Sequence, residues 1–415
     1  VRSAEQSSRE VAASGPTDET TGELTTGQVA DYLGVKVQTV YAYVSRGVLT
    51  PIRREPGTGS LFRLGDVRAL VDGGRSGRRG RTTAPRDDLR TTITEVTPGA
   101  LAYRGHDITR LVGTHSFEEV RALLTGSPEA DGAPTAQERA ELTQLMAALP
   151  ARTPPLDRFK HAVLLAATTD VGRQDRSPSA IARAGRRAAL LMALTLPAAR
   201  LSPEGTPTLA ATLATALHPL PADLLDAVLV LLADHDLAVS TTAVRVAVSS
   251  GADAYSALLA GLAASDSPHH VAASLQAVDW LSRALRGPQE LLDEALAGER
   301  PPPGFGHLVY TEQDPRAQLL LDLLRPDCPE EEWAVVRLFE QELLDRRGWV
   351  LNIDLAVALV VRRFGLPRHA GAAVFACART AGWVAHAIEE LEEPAMRFRL
   401  RGLYSGPRRM GRGRP

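Results

Sequence analysis

The sequence predicts a mainly α-helical protein in two parts: a small N-terminal unit and a much larger all-helical body. Three observations predict this. Ala/Leu/Val-rich stretches at helical spacing fill most of the chain after residue 90, as in DRFKHAVLLAATTDV (157–171), ADLLDAVLVLLADHD (222–236) and HAGAAVFACARTAGWVAHAIEEL (369–391). Few convincing strands are expected outside residues 50–63 and 91–103. A Gly/Arg/Pro-rich stretch, GGRSGRRGRTTAPRDD (73–88), separates the two parts as a flexible basic linker. At 415 residues the chain is too long for one small domain, and its 44% apolar and 23% charged residues are ordinary for a soluble globular protein.

Several classes are excluded at this level. No apolar run approaches the roughly 18 residues a membrane span needs. The polar start VRSAEQSSRE lacks the apolar core of a secretory signal. Cys328 and Cys377 are the only cysteines, too few for a disulfide framework, so a reducing cytoplasm is expected. The net charge of −2 predicts no strong global field, but residues 24–90 hold twelve basic against six acidic residues. Only Lys36 and Lys160 of the basic residues are lysine. GSPEADGAPTAQE (126–138) reads as an exposed loop, residues 1–23 as disordered, and 410–415 as a basic tail.

The first unit, residues 24–72, opens with LTTGQVADYLGVKVQTVYAYVSRGVL. Thr26 is placed to cap a helix through Tyr32, and Gly34 permits a tight turn. A second helix is expected over Val37–Ser45 with Val40 and Val44 inward, ended by Gly47 and Pro51. IRREPGTGSLFR (52–63) reads as two strands around PGTG, and GDVRALV (65–71) as a closing helix. This unit resembles the winged helix–turn–helix of the MerR and excisionase type. The resemblance implies DNA contacts from Lys36, Gln38, Thr39, Tyr41 and Arg46 on the recognition helix, and phosphate contacts from Arg53, Arg54 and Arg63 on the wing. A small domain kept for protein contacts, with a solvated basic face, is the alternative.

In the body, four stretches gather residues that can do chemistry. ADHDLAVSTTAV places His235 between two acids; SPHHVAAS (267–274) carries adjacent histidines; PGFGHLVYTEQDPRA (303–317) flanks an aromatic with glycines before His307; and NIDLAVALVVRRFGLP (352–367) sets Asp354 at a helix start. Taken singly, each has a structural explanation: a hydrogen-bonded histidine, or a helix cap. No HxxxH or CxxC metal spacing, phosphate-binding glycine loop or GxSxG elbow occurs.

Taken in order, with ITEVTPGALAYRGHDITRLVGTHSFEEVRALLTG (93–126), FACARTAGWVAHAIEE (375–390) and RFRLRGLYSGP (397–407), these stretches resemble the citrate synthase family from about Thr91 to Arg409. The resemblance implies a helical homodimer over residues 91–409. Its large subdomain would comprise about 91–271 and 366–409, and its small one about 272–365, with substrates in the cleft between them. It implies condensation of an acyl-CoA, as co-substrate and with no further cofactor, with oxaloacetate. By the same resemblance Asp354 is the base that deprotonates the acyl methyl, His270 donates to the enolate oxygen, and His307 polarises the ketone. His235, Arg316, Arg379 and Arg399 bind the oxaloacetate carboxylates, Arg399 from the other subunit. Bidentate arginine forks orient as well as attract a dianion.

The departures lie on the CoA side. Val271 and Ala272 stand for the family's two glycines, Ser274 for its asparagine, and Leu308 and Thr311 for basic residues. Three readings stay open: a citrate or 2-methylcitrate synthase with a reshaped acyl pocket, a ligand-sensing regulator acting through the helix–turn–helix, and a partner subunit of another synthase.

Overall fold

A computed structural model of the chain describes residues 23–33, 35–55, 59–64, 66–67, 70, 89–127, 132–201, 206–267 and 271–399. The polar N-terminal stretch, most of the linker and the basic tail lie outside these residues. The described part divides into two units, the second within Asp88–Phe398.

The first unit runs β1 (Glu23–Thr25), α1 (Thr26–Leu33), α2 (Val37–Ser45), β2 (Arg53–Glu55) and β3 (Gly59–Arg63). The strands form an antiparallel sheet in the order β1-β3-β2. The two wing strands match expectation. β1 does not: three residues, Glu-Leu-Thr, are too few to show a periodicity, and only their pairing with Leu61–Arg63 makes them a strand. The cap of α1 also shifts by one residue. Thr25, not Thr26, is the capping residue: its backbone N–H donates to Gln28 Oε1 at 2.8 Å, and Gln28 N–H returns to Thr25 Oγ1 at 3.4 Å. Thr26 Oγ1 instead donates to the Ser60 carbonyl. Leu24, Val29, Val40, Leu49, Phe62 and Val67 form this unit's core. Val40 is buried and Val44 packs at the edge, as the spacing predicts.

The second unit opens with an antiparallel meander of β4 (Thr94–Thr97), β5 (Ala100–Tyr103) and β6 (His106–Asp107). The next helices are α3 (Ile108–Leu111), α4 (Phe117–Thr125), α5 (Ala136–Ala148), α6 (Pro155–Thr169), α7 (Pro178–Leu194), α8 (Leu209–Ala216), α9 (Ala222–Leu232), α10 (Val239–Ser249) and α11 (Ala254–Ser265). They are followed by α12 (Val271–Ala284), α13 (Pro288–Ala297), α14 (Pro315–Leu324), α15 (Glu330–Arg347), α16 (Ile353–Arg363) and α17 (Ala370–Glu390). Among the described residues no helix is long and apolar enough to cross a membrane.

The stretch read as a loop over 126–138 ends earlier. Thr135 and Glu138 make a reciprocal capping box, so α5 begins at Ala136. α9 stops at Leu232, four residues short of its sequence pattern, and the chain after it turns through Asp236 at a left-handed φ of 52°.

α17 is the spine of this unit. It is apolar nearly all round, so it is buried from Ala370 to Ala387 except for Phe375. It packs against α4, α7, α9, α10, α11 and α12. Close approach is set by small residues. Gly382 N–H donates to the Ala233 carbonyl at 3.1 Å, and a Cβ on Gly382 would lie 2.7 Å from that oxygen and 2.1 Å from Asp234 Oδ1. Backbone held by its own hydrogen bond cannot retreat cheaply. Gly382→Ala is therefore expected to lower stability by about 1–3 kcal/mol despite alanine's better helix propensity. Calorimetry of the full chain checks this, and an unchanged Tm would mean that α17 and the end of α9 are not in tight contact.

Candidate active site

The site is built where three irregular segments meet helix ends. The first is the turn after α9. Ala233 caps α9, and the chain reverses through Asp234, His235 and the left-handed Asp236. Tyr103 of β5 clasps this turn: its hydroxyl lies 3.1 Å from the Val230 carbonyl, 3.0 Å from the Asp234 carbonyl and 3.3 Å from Asp234 N–H.

The second is the glycine-flanked loop before α14, sewn to the residues that open α16. Gly306 N–H donates to the Val350 carbonyl at 2.7 Å, and Asn352 N–H to the Gly304 carbonyl at 2.9 Å. Phe305 and Leu351 form a β-bridge, and Asn352 Nδ2 donates to the Gly306 carbonyl at 3.0 Å. Gly304 and Gly306 have φ of 85° and 80°, and a Cβ on either would come within 2.7 Å of Leu355 or Pro301. Only glycine fits both demands.

His307 follows directly. Its Nδ1 accepts N–H bonds from Val309 at 3.0 Å and Tyr310 at 3.1 Å. A ring nitrogen that accepts two amide protons carries none itself, so the proton sits on Nε2, which becomes a donor. The ring stacks on Tyr310 at 4.4 Å and meets His235 edge-on at 5.2 Å. Tyr310 also reaches His235, with Oη 3.0 Å from Nε2.

The third segment is the first turn of α16. Asn352 caps it by accepting from Asp354 N–H at 3.0 Å. Asp314, fully buried, caps α14 and accepts from Ile353 N–H at 3.1 Å across to α16. It also pairs with Arg316, to Nε at 3.0 Å and Nη2 at 2.7 Å. This leaves Arg316 Nη1 outside the pair. Arg379, buried on α17, donates Nε to the Leu232 carbonyl at 3.0 Å and lies over the Phe375 ring.

The electrostatics follow from burial and from these arginines. Desolvation, with Arg316, lowers His307 to about 4. Desolvation, with Arg316, Arg379 and His307, pushes His235 well below the ordinary range. Both are neutral near pH 7. Burial raises Asp354 to about 6 against the opposing pull of Arg316. Burial opposes the charge of Arg316, and Asp314 more than offsets it. The pocket thus holds neutral histidine donors, two buried cations and a carboxylate of raised basicity, a pattern suited to proton abstraction beside a carbonyl.

Of the residues read from sequence, His235, His307, Arg316, Arg379 and Asp354 come together here. Arg399 is exposed and lies beyond the second unit. His270 lies outside the described residues. At the end of α11, Asp266 pairs with Lys160, whose Nζ lies 2.6 Å from it and 3.0 Å from Asp157. Tyr310, Asp314 and Asn352 were missed. The signal for Asp314 was present in Asp-Pro-Arg, a capping residue followed by proline at the first helical position. In the first unit Lys36, Gln38, Arg46, Arg54 and Arg63 are exposed, Tyr41 is 58% exposed and Thr39 is half-buried. Arg53 is exposed but paired with Glu23 at 2.7 Å.

Residues 87–401 match the family described as citrate synthase, C-terminal domain. The chain belongs to the citrate synthase family. Residues 23–75 match a helix–turn–helix domain. A citrate/2-methylcitrate synthase of Bacillus subtilis (strain 168) is 31% identical over 338 residues, 74% of this chain and 90% of that protein. Citrate synthases of Saccharolobus solfataricus and Thermoplasma acidophilum are 34% and 32% identical, over 44% and 45% of this chain. The chain spans about half the length of those two relatives, 52% and 51%.

Solved citrate synthases share the fold. That of Pyrobaculum aerophilum has a TM-score of 0.66 at 24% identity, over 78% of this chain and 91% of its own. That of Thermoplasma acidophilum, a ternary complex with carboxymethyl coenzyme A and oxaloacetate, has a TM-score of 0.61 at 24% identity, over 78% and 94%. Their likeness matches the mainly helical body predicted from sequence.

The raised Asp354 has a stability consequence in this citrate synthase fold. Its ionised form is disfavoured by folding, so the cost is full above about pH 6 and absent below the unfolded value of about 4. Asp354→Asn is expected to stabilise the protein by about 2 kcal/mol at pH 8 and to lose that advantage by pH 4. Thermal melts at the two pH values test this. A gain equal at both would place its origin elsewhere.

Proposed function

We propose that the protein condenses an acyl-CoA, acetyl-CoA or propionyl-CoA, with oxaloacetate and hydrolyses the product thioester to citrate or 2-methylcitrate plus CoA. It acts as a cytoplasmic homodimer. The observation that carries this reading is the pairing of a basic, desolvated Asp354 with a neutral His307 whose Nε2–H is fixed outward by two backbone donors.

Arg316 and Arg379 hold the oxaloacetate carboxylates with His235, and Arg399 completes the set across the dimer. His307 Nε2–H polarises the ketone. Asp354 takes a proton from the acyl α-carbon, the methyl of acetyl-CoA or the methylene of propionyl-CoA, and His270 stabilises the enolate oxygen. The enolate carbon then attacks the ketone carbon, whose oxygen becomes the hydroxyl of the product. Water next cleaves the thioester and releases the CoA thiol. Closure of the small subdomain on the large one excludes solvent during these steps.

Free-thiol release from acetyl-CoA and propionyl-CoA with oxaloacetate is the test. Release that depends on oxaloacetate, falls at least about 100-fold in Asp354→Ala and declines in acid with a midpoint near pH 6 supports this chemistry. No release, with oxaloacetate still raising Tm, would leave a binding site without turnover.

A second role is favoured by the exposed Gln38 and Tyr41 of α2, the exposed Lys36 and Arg46 that flank it, and the exposed arginines of the wing. The first unit binds DNA, with Gln38 and Tyr41 toward the bases and Arg54 and Arg63 toward phosphates. Fluorescence anisotropy with duplex DNA is expected to show affinity that falls steeply with salt and is lost on deleting residues 1–88. Affinity that survives the deletion removes this role.

A further inference from the structure

The FACARTAGWVAHAIEE stretch contributes Arg379 to the site, yet its most connected side chain is one the chemistry above does not use. His386 is fully buried on α17, two helical turns beyond Arg379. Its Nδ1 lies 3.1 Å from Arg245 Nη1. A guanidinium only donates, so Nδ1 is the acceptor and Nε2 carries the proton. That Nε2 lies 3.3 Å from Asp234 Oδ2, the carboxylate immediately before His235.

Asp234 Oδ2 has one further donor, Thr94 Oγ1 at 2.6 Å. Burial opposes the charge of Asp234, but its surroundings, His386, Arg379 and Thr94, hold its pKa below the ordinary value. Arg245, also fully buried, is itself fixed by Glu389 at 2.6 Å and Glu390 at 2.9 Å. Glu389 in turn accepts from Thr92 N–H at 2.7 Å, and Glu390 pairs with Arg397.

The turn that carries His235 needs this support. It lies past the end of α9, and Asp236 adopts a left-handed conformation that costs a non-glycine residue energy. No helical hydrogen bonds hold the His235 ring. The ring meets the Tyr310 hydroxyl and the edge of His307, and the turn beneath it is held through its backbone by Tyr103 and through the Asp234 carboxylate by Thr94 and His386.

We infer that His386 is a positioning residue for the oxo-acid site: with Arg245 behind it, it fixes Asp234 and thereby sets where His235 meets oxaloacetate. This rests on the function proposed above, in which His235 contacts the oxo acid. His386 touches no reacting atom, so its loss weakens oxaloacetate binding rather than the chemical step.

The test uses the full-length protein with His386→Asn, and Thr94→Val as a second variant that removes the other Asp234 donor without a cavity. In both, KM for oxaloacetate rises about tenfold, while kcat and KM for the acyl-CoA stay within about twofold. Nitrogen-15 spectra of the ligand-free proteins show the His235 ring signals displaced from wild type. A purely structural histidine gives a lower Tm with neither change. Unaltered oxaloacetate KM together with unaltered His235 signals overturns the inference. Should wild type fail to bind oxaloacetate by calorimetry, the functional reading fails, and the His235 signals alone decide: displaced signals uphold the positioning role and unchanged ones end it.

Discussion

The carboxylate of Asp314 accepts four hydrogen bonds, three from Arg316 and one from the backbone N–H of Ile353, 39 residues away. It is fully buried. A buried anion of this kind persists only when its partners neutralise and saturate it. Here the same bonds that satisfy it join the start of α14 to the start of α16. One helix brings Arg316 to the site and the other brings Asp354. The separation of Arg316 and Asp354 is thus set by one carboxylate, which adds to the raised basicity of Asp354 and partly opposes the depression that burial and Arg316 impose on His307.

The site's second frame is α17. Because this helix is apolar all round it must lie in the centre of the unit, and its few polar groups must therefore find partners there. They do so along one stripe. Arg379 meets the end of α9, Gly382 lets the α9 backbone approach, His386 reaches Asp234, and Glu390 holds Arg245. A single buried helix thereby orients both a cation of the site and the turn that carries His235.

Burial sorts the protonation states. Desolvation disfavours whichever form is charged, so one environment makes the histidines neutral and the aspartate more basic. Near neutral pH the pocket then offers neutral imidazole donors beside an ionised carboxylate, with no need for a group of unusual intrinsic chemistry. The arginines, which cannot lose their protons, supply fixed positive charge to the site.

Local signals in the sequence determined a good deal by themselves. Helical periodicity located α2, α6 and α17 to within a few residues, the glycines of PGFGH marked a close backbone approach, and ordered motifs named His235, His307, Arg316, Arg379 and Asp354. These depend on spacing along the chain, which sequence displays directly. What only the tertiary structure decided was long-range or competitive. The three-residue β1 exists because Leu61–Arg63 pair with it, and the cap of α1 falls on Thr25 because Gln28 lies three residues after it while Thr26 turns to Ser60. Tyr310 over His307, Asp314 across to Ile353, and His386 on Asp234 join residues up to 152 positions apart. No periodicity encodes such pairs, because each partner has an ordinary local role and gains its second one only when folding removes water from between them.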